Sequence, residues 1–185
     1  VNFLGIDLSL TSTGYSNNEN SGVISVHSTG VKRLIEISES IGNLIVELKI
    51  NAAVIEGYSF SSRNSHAHSI GELGGVVRVM LYRMDIPYVE IPPTCRAKFA
   101  TGRGNASKNE VISFVSAKTG MIWKNPGADD KCDAWILEEM ARAKFGLHRH
   151  DWSAPSMDAL NKVDWSAIDS LADNKNETGK GEGKE

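Results

Sequence analysis

Three short stretches carry carboxylates whose placement could do chemistry. GIDLS sets Asp7 at the end of one apolar run, AAVIEGY sets Glu56 at the end of another, and ADDKCDAWILEEM holds Asp130 and Asp133 three residues apart. Open α/β sheets present functional groups to ligands at the C-terminal ends of their strands, so two acids at such ends are in a position to act together. On a helix, residues three apart share a face, and the face that begins with Asp130 and Asp133 continues through Ala134, Leu137, Met140 and Ala141. Helix capping and the helix dipole account for an acid at Asp129. They do not account for Asp133, which lies past the first turn on the apolar side, where an unpaired charge costs several kcal/mol. A divalent cation is the natural partner. Carboxylates converging without His or Cys at tetrahedral spacing suit Mg²⁺ or Mn²⁺, and two such ions roughly 4 Å apart would clamp the attacking and leaving oxygens of a phosphodiester.

The elements that must position these acids follow from the pattern of apolar residues. Val1 to Leu8 reads as a first strand, and two more short strands, Gly14 to Ser16 and Gly22 to Val26, flank the polar turn NNENS and give an antiparallel opening. Helical spacing of Leu34, Ile37, Ile41, Leu44, Ile45 and Leu48 predicts an amphipathic helix over 31–49. AAVIEGY is then a buried strand, a Gly-bearing helix with Gly71, Gly74 and Gly75 spans about 65–84, and Pro87 to Ile91 is a fifth strand. Ser107 with Glu110 three residues later marks the start of a helix over 107–118, and the pair Pro126 and Gly127 precedes a last helix over 129–145. The expected class is α/β, a five-stranded mixed sheet flanked by helices. Residues 1–150 read as one domain, 151–171 as a C-terminal extension, and the polar, Gly-rich 172–185 as a disordered tail.

Composition narrows the partners. With 20 basic and 23 acidic residues the formal net charge is −3, so neither a nucleic acid nor a membrane is announced by bulk charge. A local patch must serve instead. Between Pro92 and Lys124 six cations (Arg96, Lys98, Arg103, Lys108, Lys118, Lys124) face one acid, Glu110, and the loop TGRGNAS near a helix N-terminus suits phosphate oxygens. Cys95 and Cys132 stand far apart and outside any CxxC pattern, which fits a reducing cytoplasm, and no apolar run reaches membrane-spanning length.

Taken in order, GIDLSLTSTGY, VIEGYSFSSRN, the IGELGG helix, PTCRAKFATGRGNASKNEV and DDKCDAW resemble the RuvC family of Holliday junction resolvases, within the ribonuclease H-like nucleases. The resemblance runs from Val1 to about Phe145. It implies a ribonuclease H-like fold and a metal-dependent endonuclease that nicks four-way junctions and related branched DNA as a homodimer. It places the catalytic, metal-holding acids at Asp7, Glu56, Asp130 and Asp133, with Asp129 as the alternative first acid of the helix pair. It gives Lys98 and Lys108 assisting roles, Lys108 at the reaction itself, and sets Phe60 to stack on an unpaired base, with Arg63, Arg96 and Arg103 along the DNA. The Ser/Thr/Gly stretch after Asp7 also resembles the phosphate-binding hairpin of actin-like ATPases. Those enzymes bind nucleotide between two copies of the unit, whereas this chain has one, so no nucleotide cofactor is expected and Ser9 to Gly14 reads as a tight turn with Ser9 near a DNA phosphate. A ribonuclease acting on RNA–DNA hybrids and a non-catalytic branched-DNA binder are the alternatives.

Overall fold

The computed structural model describes residues 1–18, 20–57 and 66–171. Phe60, Arg63 and the 172–185 tail lie outside the described residues.

Strands β1 (Phe3–Asp7), β2 (Thr13–Ser16), β3 (Ser21–Ile24), β4 (Ala52–Glu56) and β5 (Tyr88–Ile91) form one mixed sheet in the order β3-β2-β1-β4-β5. β1, β2 and β3 pair antiparallel, while β4 and β5 add in parallel on the other side of β1. The helices are α1 (Gly30–Glu47), α2 (His66–Arg83), α3 (Pro93–Thr101), α4 (Lys108–Thr119), α5 (Ala128–Lys144) and α6 (Ala154–Asp158), followed by a 3₁₀ turn at Ala159–Lys162.

Period-two alternation divides β1 and β4 between two cores. Leu4, Ile6, Ala53 and Ile55 face α1 and α2, where they join Ile37, Ile41, Leu73 and Val77. Phe3, Ala52 and Val54 face the opposite layer and pack with Ile136, Leu137 and Met140 of α5 and with Phe99 of α3. Asp7 and Glu56 keep the parity of Phe3 and Ala52, so alternation alone sends both acids to the α5 side.

Two features go beyond the sequence reading. The segment 93–101 is a helix, opened by Pro93 in its first turn and closed by Gly102 in the left-handed conformation at φ 80°. The extension over 151–171 packs on the domain: Ala159, Leu160, Val163, Trp165 and Ile168 are buried in the same core as α3 and α5, and the Trp165 indole N–H donates to the Leu160 carbonyl at 2.9 Å.

Candidate active site

The Ser/Thr-rich turn after Asp7 is tied to itself. The Thr13 hydroxyl donates to the Ser9 carbonyl at 2.6 Å, and the Ser9 hydroxyl oxygen accepts from the backbone N–H of Thr11 and Ser12 at 3.3 and 3.4 Å. These side-chain bonds replace the backbone partners that a tight turn cannot supply, and they hold β2 beside β1. Ser9 is therefore a turn-shaping residue first.

Close approach of α5 brings in the next acid. Neither Gly5 nor Gly14 has a side chain to keep the helix away: a Cβ at Gly5 would lie 2.0 Å from the Ala134 carbonyl oxygen, and one at Gly14 would lie 2.1 Å from that of Asp130. Asp133 precedes Ala134 and is carried over the ends of β1 and β4, where it is 2% exposed. One turn further on, buried Glu138 accepts from the Ser16 hydroxyl at 2.9 Å, and Glu139 accepts from the Arg149 side chain at 2.8 Å and from the Trp152 indole at 3.2 Å. Those two acids pin the helix to β2 and to the chain beyond it.

Arg96 corrects the sequence reading. Expected along the DNA, it is instead 6% exposed, with its Nε donating to Glu56 and its Nη1 to Asp133. A buried and a half-buried carboxylate together draw in a cation more strongly than solvent can hold it. Lys98 likewise turns away and pairs with Asp158 of α6. Arg103 bonds to Glu110 at 2.7 Å, and Glu110 also completes the capping box of α4 with Ser107. Of the expected patch, Lys108 is the cation that remains beside the acids. It reaches Asp129 at 3.1 Å, and although burial works against its charge, that hydrogen bond together with Asp133 and Asp7 holds its pKa above the ordinary value. Asp129 is thereby matched, whereas Asp7 and Asp130 form no ion pair among the described residues. Asp130 lies over the hairpin, its Cβ 3.1 Å from the place of a Cβ at Gly14, and its Oδ2 is 3.3 Å from that of a Cβ at Gly127, the N-cap of α5.

Negative charge is in excess here. Burial, then the neighbouring Glu56 and Asp133, push the Asp7 carboxyl well above its usual range despite Arg96 and Lys108. Asp133 is pushed up to about 7, chiefly by burial, with Arg96 opposing and Glu56 adding to the shift. Burial, with the neighbouring Asp133 adding, pushes the pKa of the buried Cys132 thiol up. Among the described residues no three acid, His or Cys side chains enclose a single ion as they stand, since the Arg96 guanidinium lies between Glu56 and Asp133. The donor set still fits a hard divalent cation: every candidate ligand is a carboxylate, and Asp7 is a half-buried one that forms no ion pair among the described residues.

A prediction follows from the sign of the Asp133 shift. Its folded-state pKa of about 7 exceeds the unperturbed 3.8, so its contribution to stability is full below about pH 4 and is lost as pH rises through about 7. Without divalent cations, the melting temperature should fall from about pH 5 to about pH 8, and Asp133→Asn should flatten that slope. An unchanged slope in the variant would contradict the assignment.

A family model described as crossover junction endodeoxyribonuclease RuvC matches residues 3–138, and the match takes in Asp7, Glu56, Asp130 and Asp133. The chain belongs to the RuvC family. A RuvC from Prochlorococcus marinus (strain NATL1A) is 30% identical over 148 residues, covering 74% of this chain and 95% of the relative. Another, from Prochlorococcus marinus (strain MIT 9303), is 32% identical over 149 residues with the same coverage. The fold is ribonuclease H-like, as in the structure of T. thermophilus RuvC in complex with Holliday junction substrate: TM-score 0.64 at 19% identity, over 82% of this chain and 99% of that one.

Sequence reasoning missed the inward role of Arg96 and the two close-approach glycines. A signal for the helix that carries Arg96 was present, Pro92 and Pro93 at one end and Gly102 at the other. For the inward turn of its side chain there was none.

Proposed function

We propose that the chain is a divalent-cation-dependent DNA endonuclease that resolves four-way junctions and related branched DNA by paired nicks. The observation that carries this reading is the gathering of Asp7, Glu56 and Asp133 from two parallel strand ends and α5 into one cluster with Asp133 buried at its centre, in a member of the RuvC family. Asp7, Glu56, Asp130 and Asp133 would hold Mg²⁺ or Mn²⁺, two ions per site. Bound there, the ions would activate water for attack on the scissile phosphate and stabilise the leaving 3′ oxygen.

The chain's own residues do the rest. β1, β4 and α5 fix the acids on rigid elements, and the self-bonded turn at Ser9 borders them. The Lys108 ammonium, held at the rim by Asp129, is placed to exchange that partner for a DNA phosphate oxygen. With a net charge of −3, binding rests on such local cations, to which Arg103 and, outside the described residues, Arg63 and Phe60 would add contacts. Cys95 and Cys132 are buried free thiols, which suits action in the cytoplasm, and no helix among the described residues is long and apolar enough to cross a membrane.

The test is cleavage of a labelled four-way junction, a linear duplex and an RNA–DNA hybrid in Mg²⁺ or Mn²⁺. Symmetric paired nicks in the junction are expected, and preferential cutting of the hybrid would replace this reading with a ribonuclease. Lys108→Ala should lower the cleavage rate by about tenfold or more, whereas Lys124→Ala, remote from the acids, should stay within about twofold. Equal small effects would remove Lys108 from the site.

Two nicks on opposed strands call for two active sites, and a two-fold dimer supplies them. The groove between α1 and α2, about 920 Å³, supports this: Val31, Ile35 and Val79 are exposed along it, and a Cβ at Gly75 would meet nothing within 4 Å. Sedimentation should show a dimer that Gly75→Arg dissociates. A monomer that still cuts both junction strands would rule the dimer out.

A further inference from the structure

We infer that Arg96 is a resident counter-cation: in the cation-free enzyme its guanidinium occupies the place between Glu56 and Asp133 that a divalent ion takes, so the two are mutually exclusive there. The inference rests on the reading of these acids as metal ligands.

The geometry is specific. Arg96 joins two carboxylates from different elements, Glu56 at the end of β4 and Asp133 on α5, and Asp7 lies near enough to both for their charges to raise its pKa. The side chains of Glu56 and Asp133 are only 18% and 3% exposed, so neither charge is relieved by water. A planar guanidinium can serve two carboxylates at once through separate N–H groups, which an ammonium does with less directional fit. A DNA contact is excluded for Arg96 in this position by its burial. A purely structural strut would be expected away from the catalytic acids, not across two of them.

The helix that carries Arg96 is itself fixed. Cys95, Ala97 and Phe99 are buried in the core, and Lys98 is paired with Asp158. Displacing the guanidinium is therefore a side-chain rotation and needs no movement of α3. Any ion that takes both Glu56 and Asp133 must first break two charge-assisted hydrogen bonds, so the free enzyme should hold divalent cations weakly.

Calorimetric titration of Mn²⁺ into EDTA-stripped wild type, Arg96→Gln and Arg96→Lys, without DNA, tests this. Arg96→Gln should bind Mn²⁺ about tenfold tighter or more, melt lower than wild type in EDTA, and gain more in melting temperature from Mn²⁺; Arg96→Lys should fall between. Equal or weaker binding by Arg96→Gln, with wild type still binding, overturns the inference and leaves the metal reading standing. No binding by any of the three proteins overturns the metal reading and the inference with it. If Arg96→Gln does not fold, the wild type decides: the Arg96 Nε–H NMR signal should shift on Mg²⁺ titration in step with the binding heat, and a signal unchanged at saturation overturns the inference.

Discussion

Asp133→Asn is expected to reduce junction cleavage by roughly a thousandfold or more while leaving binding to branched DNA intact or tighter. The charge removed is one that would hold a cation and that also repels phosphate, so catalysis and binding should move in opposite directions. Asparagine keeps the shape of the side chain and an oxygen that still accepts from Arg96, and the fold loses a buried carboxylate whose pKa is raised to about 7. The variant should therefore melt no lower than wild type at neutral pH in EDTA. That separates a lost catalytic group from a lost fold. Glu56→Gln should behave in the same way in single-turnover cleavage and in gel shifts performed in EDTA. Full activity in either variant would remove that residue from the site.

What could be read from the sequence was set by local signals. Asp7 and Glu56 end apolar runs, and an acid on the apolar face of a helix is conspicuous, so the cluster was legible before any coordinates. The five strands were legible too, because their apolar residues alternate or run together between turn signals. The basic patch misled because sequence records charge but not direction. Arg96 and Lys98 are two residues apart on α3 and find partners at Asp133 and at Asp158, 37 and 60 residues away respectively. No local pattern encodes such pairings. The C-terminal stretch was undervalued for a similar reason: Leu160, Val163, Trp165 and Ile168 lack a long helical period, yet each is buried against helices formed far earlier in the chain. Gly5 and Gly14 are silent in the sequence as well, since a glycine in a strand reads as a weak point until the element lying over it is known.

Those glycines support the last prediction, which joins stability to the site. Gly5→Ala is expected to destabilise the protein by about 3 kcal/mol or more. Its Cβ would stand 2.0 Å from the Ala134 carbonyl oxygen and 2.8 Å from the Glu138 backbone nitrogen, and neither atom can move without moving α5. That helix buries Trp135, Ile136, Leu137 and Met140, each contributing about 2 kcal/mol by its removal from water, so lifting it off β1 opens one of the two cores. Gly14→Ala acts at the N-terminal end of the same helix, where the clash at 2.1 Å is with the Asp130 carbonyl oxygen, and any relief there shifts Asp130 and Asp133 away from Asp7. Its expected signature is a loss of cleavage larger than its loss of stability explains. Gly42→Ala is the control: it lies inside α1, its Cβ would make ordinary contacts with the Met84 and Met80 sulfurs at 3.6 and 3.7 Å, and helix propensity predicts a gain of about 0.5–1 kcal/mol. Urea denaturation of the three variants should rank Gly5→Ala least stable and Gly42→Ala most stable. If Gly5→Ala matches wild type, β1 and α5 are not in the contact that places Asp133 over the strand ends.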